Sequence, residues 1–212
     1  MEYLLTMTTH VPEGTAQATV EDMRTREAAR SRELADQGHL LRLWRPPLRP
    51  GEWRTLGLFA AADNAALELD LASMPLRVWR TDEATPLAPH PNDPTGRMER
   101  TGSVTPEVGG SEYLTAFALA IPAGTPAETV DATTAREAQR TRQLALLGHL
   151  RRLWRLPGEG RALGLWQAQD TAEMHAILAS LPMAAWLDVQ TTPLSPHPSD
   201  PSATTRWPAS GS

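Results

Sequence analysis

GHLLRLWR, residues 38–45, recurs as GHLRRLWR at residues 148–155. The match extends outward from this octet in both directions: EYLLTM from Glu2 corresponds to EYLTAF from Glu112, and TPLAPHPNDP from Thr85 corresponds to TPLSPHPSDP from Thr192. Each copy is about 90 residues long, which is the size of one small domain and too long for a solenoid repeat. We therefore predict a first domain at 1–94, a Gly-, Ser- and Thr-rich linker at 95–111, a second domain at 112–201 and a flexible tail at 202–212.

The residue pattern of each copy predicts six elements in the order βαββαβ. In the first copy these are strands at 2–11, 39–45, 54–61 and 77–87, and helices at 15–38 and 63–74, the second capped by Asp63. This is the order of the ferredoxin-like fold, an α+β fold in which both helices cover one face of an antiparallel sheet. Because each sheet would leave its other face bare, we predict that the two domains pack as an intrachain pseudo-dimeric α+β barrel.

The composition excludes several classes of site. The 212-residue chain has a formal net charge of −5, so it lacks the basic surface of a nucleic-acid-binding protein. All of its basic side chains are arginine, which removes lysine Schiff bases, and it has no cysteine, which removes thiol nucleophiles. No apolar run approaches the roughly 20 residues of a membrane span, and the N-terminal residues do not resemble a signal peptide. We expect a cytoplasmic protein that needs no cofactor and acts on a small molecule.

One carboxylate lies on the apolar side of the first predicted helix. Glu27 falls seven residues after Val20 and seven before Leu34, and Glu137 occupies the same place in the second copy. A carboxylate that faces the sheet is either paired with a buried arginine, for which Arg42 is a candidate, or desolvated, which raises its pKa. A raised pKa suits a general acid/base that must both take and return a proton. Catalysis and a structural ion pair both remain open.

The octet supplies further candidates for substrate binding. Strand alternation puts Arg42 and Trp44 on one face with Leu40, and Arg45 on the other face with Leu43. Either arginine can grip an anionic substrate with two hydrogen bonds, or pair with Glu27 or Asp82. His39 follows the helix end, where it could act as an acid, an anion contact or a cap. The candidate set also includes the second-copy residues and the late histidines: His149, Arg152, Trp154, Arg155, His90 and His197. We expect the prolines around the late histidines to hold an extended arm across the partner domain, where the histidine closes that domain's pocket.

The spacing of Glu27, Gly38, LWR (43–45), Pro75 and HP (90–91) resembles the muconolactone Δ-isomerase family of aromatic catabolism. The resemblance covers both copies and implies a ferredoxin-like fold whose subunits assemble into larger oligomers. It also implies a cofactor-free reaction in which a proton moves from C4 to C2 of an unsaturated lactone.

The resemblance also assigns roles to particular side chains. The proton carrier falls on Glu27 and Glu137, the LWR arginine on Arg45 and Arg155, and the late histidine on His90 and His197. The octet departs from the family pattern at Leu41 and Arg42, and His39 is particular to this chain. The known family enzyme has one domain, whereas this chain is a fused pair that could pair internally or form a homo-oligomer.

Three functional hypotheses follow. The first is an isomerase that moves a proton in an unsaturated lactone or a similar enolisable carbonyl compound through Glu27 and Glu137. The second is a cofactor-free cyclase, dehalogenase or oxygenase of secondary metabolism in the same fold. The third is a non-catalytic small-molecule-binding or assembly module, against which stands the retention of a costly buried acid in both copies.

Overall fold

The computed structural model describes residues 1–95 and 110–202. Its strands are β1 (Glu2–Thr9), β2 (Leu40–Arg45), β3 (Arg54–Ala60), β4 (Arg80–Pro89), β5 (Ser111–Leu119), β6 (Leu150–Arg155), β7 (Arg161–Ala168) and β8 (Leu187–Pro196). Its α-helices are α1 (Gln17–Asp36), α2 (Asn64–Ala72), α3 (Ala127–Leu146) and α4 (Thr171–Ala179). Short 3-10 helices at Pro75–Trp79 and Ala184–Trp186 precede β4 and β8. The order of elements therefore repeats, as the sequence predicts.

The chain divides into two compact units that exchange the ends of the two sequence repeats. Unit 1 comprises Met1–Leu87 and the described residues from Ser195 onward, and unit 2 comprises Ala88–Leu194. The closing segment of each repeat, which carries its late histidine, therefore belongs with the other repeat. The predicted linker and tail lie almost wholly outside the described residues.

Each unit contains an antiparallel sheet. In unit 1 the strand order is β4-β1-β3-β2, and Trp44 and Arg45 at the end of β2 pair with Pro196 and Ser195. In unit 2 the order is β8-β5-β7-β6, and the end of β6 pairs with Ala88 and Pro89. The packing of the two units as a pseudo-dimeric barrel stays a prediction.

The apolar residues that alternate along β1 form the core of unit 1 with the helices. Tyr3, Leu5 and Met7 are buried and pack with Leu34 of α1 and Leu71 of α2. An equivalent core in unit 2 gathers Tyr113, Phe117, Leu144 and Trp166. In both units the first helix covers the sheet, so a side chain on its inner face must lie between helix and strands.

The helix boundaries depend on local backbone chemistry. Gly38 has φ of +75° and follows α1, where its N–H donates to the carbonyl of Ala35, a position that suits glycine. The Asp63 side chain caps α2 by accepting a hydrogen bond from Ala66 N at 2.9 Å, as predicted.

Two sequence predictions of local structure were wrong. Residues 77–79, predicted as strand, lie in the 3-10 helix that begins at Pro75. A register shift between Leu40 and Arg42 interrupts the alternation of β2, so Leu40 packs in the same core as Leu43. Within the described ranges no helix has the length and apolar character needed to cross a membrane.

Candidate active site

Each unit encloses a cavity between its first helix and its sheet. The cavity of unit 1 has a volume of about 310 Å³ and its lining includes Glu27 of α1, Arg45 of β2, Arg80 of β4 and His197 of the closing segment. The cavity of unit 2 has a volume of about 610 Å³ and its lining includes the equivalent residues Glu137, Arg155 and His90. The structure thus brings together the glutamate, the second octet arginine and the late histidine in both units.

Glu27 is held between a backbone N–H and an arginine. Its side chain is 12% exposed; Oε2 accepts a hydrogen bond from Leu76 N at 2.8 Å, and Oε1 accepts one from Arg80 Nη1 at 2.9 Å. Arg80 also binds Asp82, with Nη2 3.0 Å from Oδ2. Burial raises the pKa of Glu27, although the Leu76 N–H and the Arg80 guanidinium act against it. The buried partner of Glu27 is therefore Arg80 and not Arg42.

Glu137 has a simpler environment. Its Oε2 accepts a hydrogen bond from Met183 N at 3.0 Å, the backbone contact equivalent to that of Glu27 with Leu76. Burial raises the pKa of Glu137, and this hydrogen bond is the one opposing influence. A carboxylate with a raised pKa and an open cavity in front of it can accept a proton from carbon and return it.

The two late histidines carry the proton on the same ring nitrogen. Nδ1 of His197 accepts a hydrogen bond from Ser199 N, and Nδ1 of His90 accepts one from Asn92 N, both at 3.1 Å. The neutral ring must then bear its proton on Nε2. Burial lowers the pKa of His197 to about 4, with Arg45 adding to the effect, and burial and Arg155 lower the pKa of His90. Both rings are neutral hydrogen-bond donors at pH 7.

The two octet arginines have different surroundings. Arg45 and Arg155 line the cavities, where each lowers the pKa of the neighbouring histidine. Arg42 instead binds Asp200, with Nη2 3.2 Å from Oδ2, and Arg152 Nε lies 3.5 Å from Asp93 Oδ1.

These pairs anchor the closing segments. Leu43 N donates to Asp200 Oδ1 at 3.0 Å, and Leu153 N donates to Asp93 Oδ1 at 2.9 Å. Each aspartate follows its late histidine by three residues, so its contacts fix the position of that histidine over the cavity.

The remaining candidates from the sequence lie outside the cavity linings. His39 Nδ1 is 3.1 Å from Asp70 Oδ1 on α2, and His149 Nδ1 is 3.0 Å from the carbonyl oxygen of Gln167. Trp44 and Trp154 are buried, 1% and 2% exposed. Their rings lie 4.8 and 4.7 Å from the guanidinium carbons of Arg42 and Arg152.

Sequence reasoning missed two arginines of the unit 1 cavity, Arg80 and Arg24. Arg24 lies over the ring of Trp53, 4.4 Å from its centroid, and both residues line the cavity. The available signal was the comparison of the repeats: Arg24, Trp53 and Arg80 differ from their second-copy equivalents, whereas Glu27 does not. Over the described part of the chain, no group of three or more His, Asp or Glu side chains could hold a metal ion.

Solved structures similar to this chain show its fold class. A chlorite dismutase variant from Candidatus Nitrospira defluvii is 15% identical with a TM-score of 0.54, covering 92% of this chain and 91% of that one. A heme-binding protein from Thermus thermophilus is 12% identical with a TM-score of 0.57, covering 94% and 93%. At these identities the likeness concerns the fold alone, a mixed fold with antiparallel strands.

The cavity histidines of this chain do not suit a heme iron. An axial histidine binds iron through an unprotonated ring nitrogen. In His90 and His197, Nδ1 already accepts a backbone hydrogen bond and Nε2 carries the proton. Neither neutral ring therefore has a lone pair to offer to iron.

The family of the chain follows from its relatives. Muconolactone Delta-isomerase 1 of Acinetobacter lwoffii is 35% identical over 79 residues, which is 37% of this chain and 82% of that protein. Muconolactone Delta-isomerase of Cupriavidus pinatubonensis is 31% identical over 87 residues, 41% of this chain and 95% of that protein. These relatives support an isomerase-type function. The family model of muconolactone delta-isomerase matches residues 1–93 and again 111–200, so the chain belongs to this family as a tandem duplication.

Proposed function

We propose that the chain is a cofactor-independent isomerase that moves a proton within an unsaturated lactone, with Glu27 and Glu137 as the proton carriers. The observation that carries the proposal is the pair of half-buried helix glutamates. Each accepts a hydrogen bond from one backbone N–H and lines a cavity whose lining also includes a histidine and an arginine. A role in aromatic catabolism rests on the family alone.

The proton transfer proceeds in two steps. The ionised carboxylate removes the proton from C4 of the lactone, and the C–H electron pair spreads through the double bond onto the carbonyl oxygen, giving a dienolate. The resulting carboxylic acid then returns the proton to C2, and the charge leaves the oxygen. Because burial raises the pKa of both glutamates, each is a stronger base when ionised and holds the proton between the steps.

The charge of the dienolate needs hydrogen-bond donors. The Nε2–H of His197 or His90 donates to the developing oxyanion without giving up its proton, since a neutral imidazole is a very weak acid. Arg45 or Arg155 in the cavity lining adds a positive charge that favours the dienolate, and Arg45 can also bind a substrate carboxylate. Donors fixed before the reaction stabilise the transition state more than the ground state.

We also propose that each unit is a ferredoxin-like domain. The order βαββαβ and the antiparallel pairings within each unit support this assignment. In this fold the first helix crosses the sheet, which is what gives the glutamate a cavity to face.

The proposal is tested by replacing the glutamates. With muconolactone as substrate, E27Q/E137Q should lower kcat by about 100- to 10,000-fold, the usual contribution of a general acid/base. Deuterium incorporation from D2O into the product should fall in parallel. The matched control is E33Q on α1, because the residue equivalent to Glu33 in α3 is already Gln143. The E33Q variant should have the same activity as the unmodified protein. Undiminished turnover by E27Q/E137Q would exclude this mechanism.

A further inference from the structure

Both cavities are lined by a glutamate, a histidine and an arginine, but other lining residues differ between them. Three lining residues of unit 1, Arg24, Trp53 and Arg80, correspond by repeat alignment to Thr134, Gly160 and Leu187 in unit 2. The larger side chain is in unit 1 each time. The unit 2 cavity is larger by about 300 Å³, and an engineered cavity of about 150 Å³ already holds a benzene molecule.

The charge of the lining changes together with its size. The lining of unit 1 has three arginines and one glutamate, whereas the lining of unit 2 has two arginines and two glutamates. In unit 1 Arg80 is engaged by Glu27 and Asp82, so Arg24 and Arg45 are the arginines that a ligand carboxylate would meet. An ionised carboxylate is costly to remove from water unless such partners replace its hydration.

The replacements in unit 2 form a consistent apolar set. Asp82, which binds Arg80 in unit 1, is replaced by Val189 where Arg80 is replaced by Leu187, so the acid and its base are lost together. Phe117 and Leu119 line the unit 2 cavity where Met7 and Thr9 line that of unit 1. The loss of Asp82 together with Arg80, and the retention of Glu137 with its Met183 N–H hydrogen bond, indicate a rebuilt site and not a decayed one.

We propose that the two sites have diverged in substrate class: unit 1 takes a small lactone that bears a carboxylate, and unit 2 takes a bulkier, uncharged lactone with an apolar substituent. This rests on the proposed function, since both sites keep the same glutamate, histidine and arginine. Arg24 and Arg45 recognise the carboxylate in unit 1. The additional space and the apolar walls of unit 2 accept an aryl or alkyl group in its place.

The test uses two substrates and two single-site variants. Muconolactone carries a carboxylate; 5-phenyl-3H-furan-2-one is an uncharged unsaturated lactone that isomerises by moving one proton from C3 to C5. E137Q should lose at least 10-fold in kcat/KM for the phenyl lactone and keep most of its muconolactone turnover. E27Q should show the reverse. If each variant loses the same fraction of kcat/KM for both substrates, the proposed divergence is wrong but the proposed isomerase function stands. If E27Q/E137Q keeps full turnover of both substrates, the isomerase mechanism itself is wrong.

A binding measurement on the unmodified protein makes the proposal independent of turnover. Calorimetry with γ-phenyl-γ-butyrolactone, a saturated lactone that cannot react, should give one site per chain, because the cavity of unit 2 is larger and has the apolar lining that suits the ring. R24T, which copies Thr134 into unit 1, should raise KM for muconolactone in an E137Q background and leave this binding unchanged. Two equivalent sites per chain, or no binding, would contradict the assignment.

Discussion

The protonation of the cavity histidines decides what they can do. Because Nδ1 of His197 accepts the N–H of Ser199, its ring offers a hydrogen bond from Nε2 and cannot act as a base there. Protonation would require adding a positive charge next to Arg45 inside a half-buried site. The same holds for His90 beside Arg155. These histidines therefore serve as donors over the whole neutral range.

The lowered pKa of His197 predicts a contribution to acid unfolding. Between its folded value of about 4 and its ordinary value of 6.5, the unfolded chain binds more protons than the folded one. The free energy of unfolding should consequently fall as the pH falls from 6.5 to 4. Chemical denaturation of H197Q across this range should show a weaker pH dependence than the unmodified protein. An unchanged slope would mean that His197 titrates normally.

The environment of Glu27 predicts a shift in the pH profile. In an E137Q background the acid limb of kcat/KM reports the ionisation of Glu27, and burial sets this limb above pH 4.5. R80M removes a cation that favours the ionised carboxylate, so the acid limb should move to higher pH. The R77M variant is the matched control, because Arg77 contacts Asp82 and not Glu27. A limb that moves to lower pH, or equally in both variants, would contradict this electrostatic assignment.

The sequence predicts the inward position of the glutamates better than it predicts the residues that bind them. Spacing of seven residues from Val20 and to Leu34 predicts that Glu27 faces inward, and its side chain is 12% exposed. The identity of its partner depends on residues fifty positions away. The 3-10 helix that starts at Pro75 places Arg80 beside Glu27. The sequence predicts a strand from residue 77, which gives no indication of this contact.

At the scale of elements, the closing segment is a positioned part of the site. His197 N donates to the carbonyl of Leu43, and Asp200 N donates back to the carbonyl of His197, forming a turn. Asp200 then ties this turn to β2 through Leu43 N and Arg42. Its side chain is fully buried, so these hydrogen bonds are not exchanged with water.

Replacing Asp200 should therefore loosen both the fold and the site. D200N removes the charge that faces Arg42 and should lower the free energy of unfolding by about 1–3 kcal/mol, as for a buried polar group that loses a partner. KM for muconolactone should rise with it, because His197 loses its support. D93N in unit 2 is the comparison. It should lower the free energy of unfolding by less than D200N does, because the Asp93 side chain is 13% exposed. A stable D200N with unchanged KM would show that the anchor has no role.

The end of α1 gives a second prediction at this scale. Gly38 has φ of +75° and no atom within 4 Å of the position where a Cβ would lie, so a side chain there is strained by the backbone alone. G38A should lower the free energy of unfolding by about 1–2 kcal/mol, the cost of the left-handed conformation for an L-residue. Thermal melts of G38A and the equivalent G148A should agree. No loss in either would show that the helix end relaxes to another conformation.

The strand after this glycine, β2, contains a register shift that its residue pattern does not predict. Strict alternation places Leu40 with Arg42, but the register shift returns Leu40 to the face of Leu43. A bulge costs little and leaves no consistent residue signature, so alternation cannot locate it. Leu43 and Arg45 both line the cavity, as alternation from Leu43 onward requires, but the sequence alone leaves open which octet arginine faces it.

For the whole molecule, the duplication was the clearest signal in the sequence. Matching residues run from Glu2 to Pro94 and again from Glu112 to Pro201, and the family model matches the same two segments. The exchange of closing segments is predicted by the proline-framed PHPNDP and PHPSDP segments, and the division of the chain into units confirms it. The strand pairings of each closing segment, and the contacts of Asp93 and Asp200, all join it to the opposite repeat.

Two complete sites in one chain predict additive rates. If each unit carries its own glutamate, histidine and arginine, inactivating one site removes its share of turnover and leaves the other unchanged. For each substrate, the kcat values of E27Q and E137Q should therefore sum to that of the unmodified protein, whatever the ratio between the sites. Steady-state rates at saturating substrate, with E33Q as the reference, measure this sum directly. If either single variant abolishes turnover of both lactones, the two glutamates serve one reaction centre, and the duplicated chain is one enzyme with a divided site.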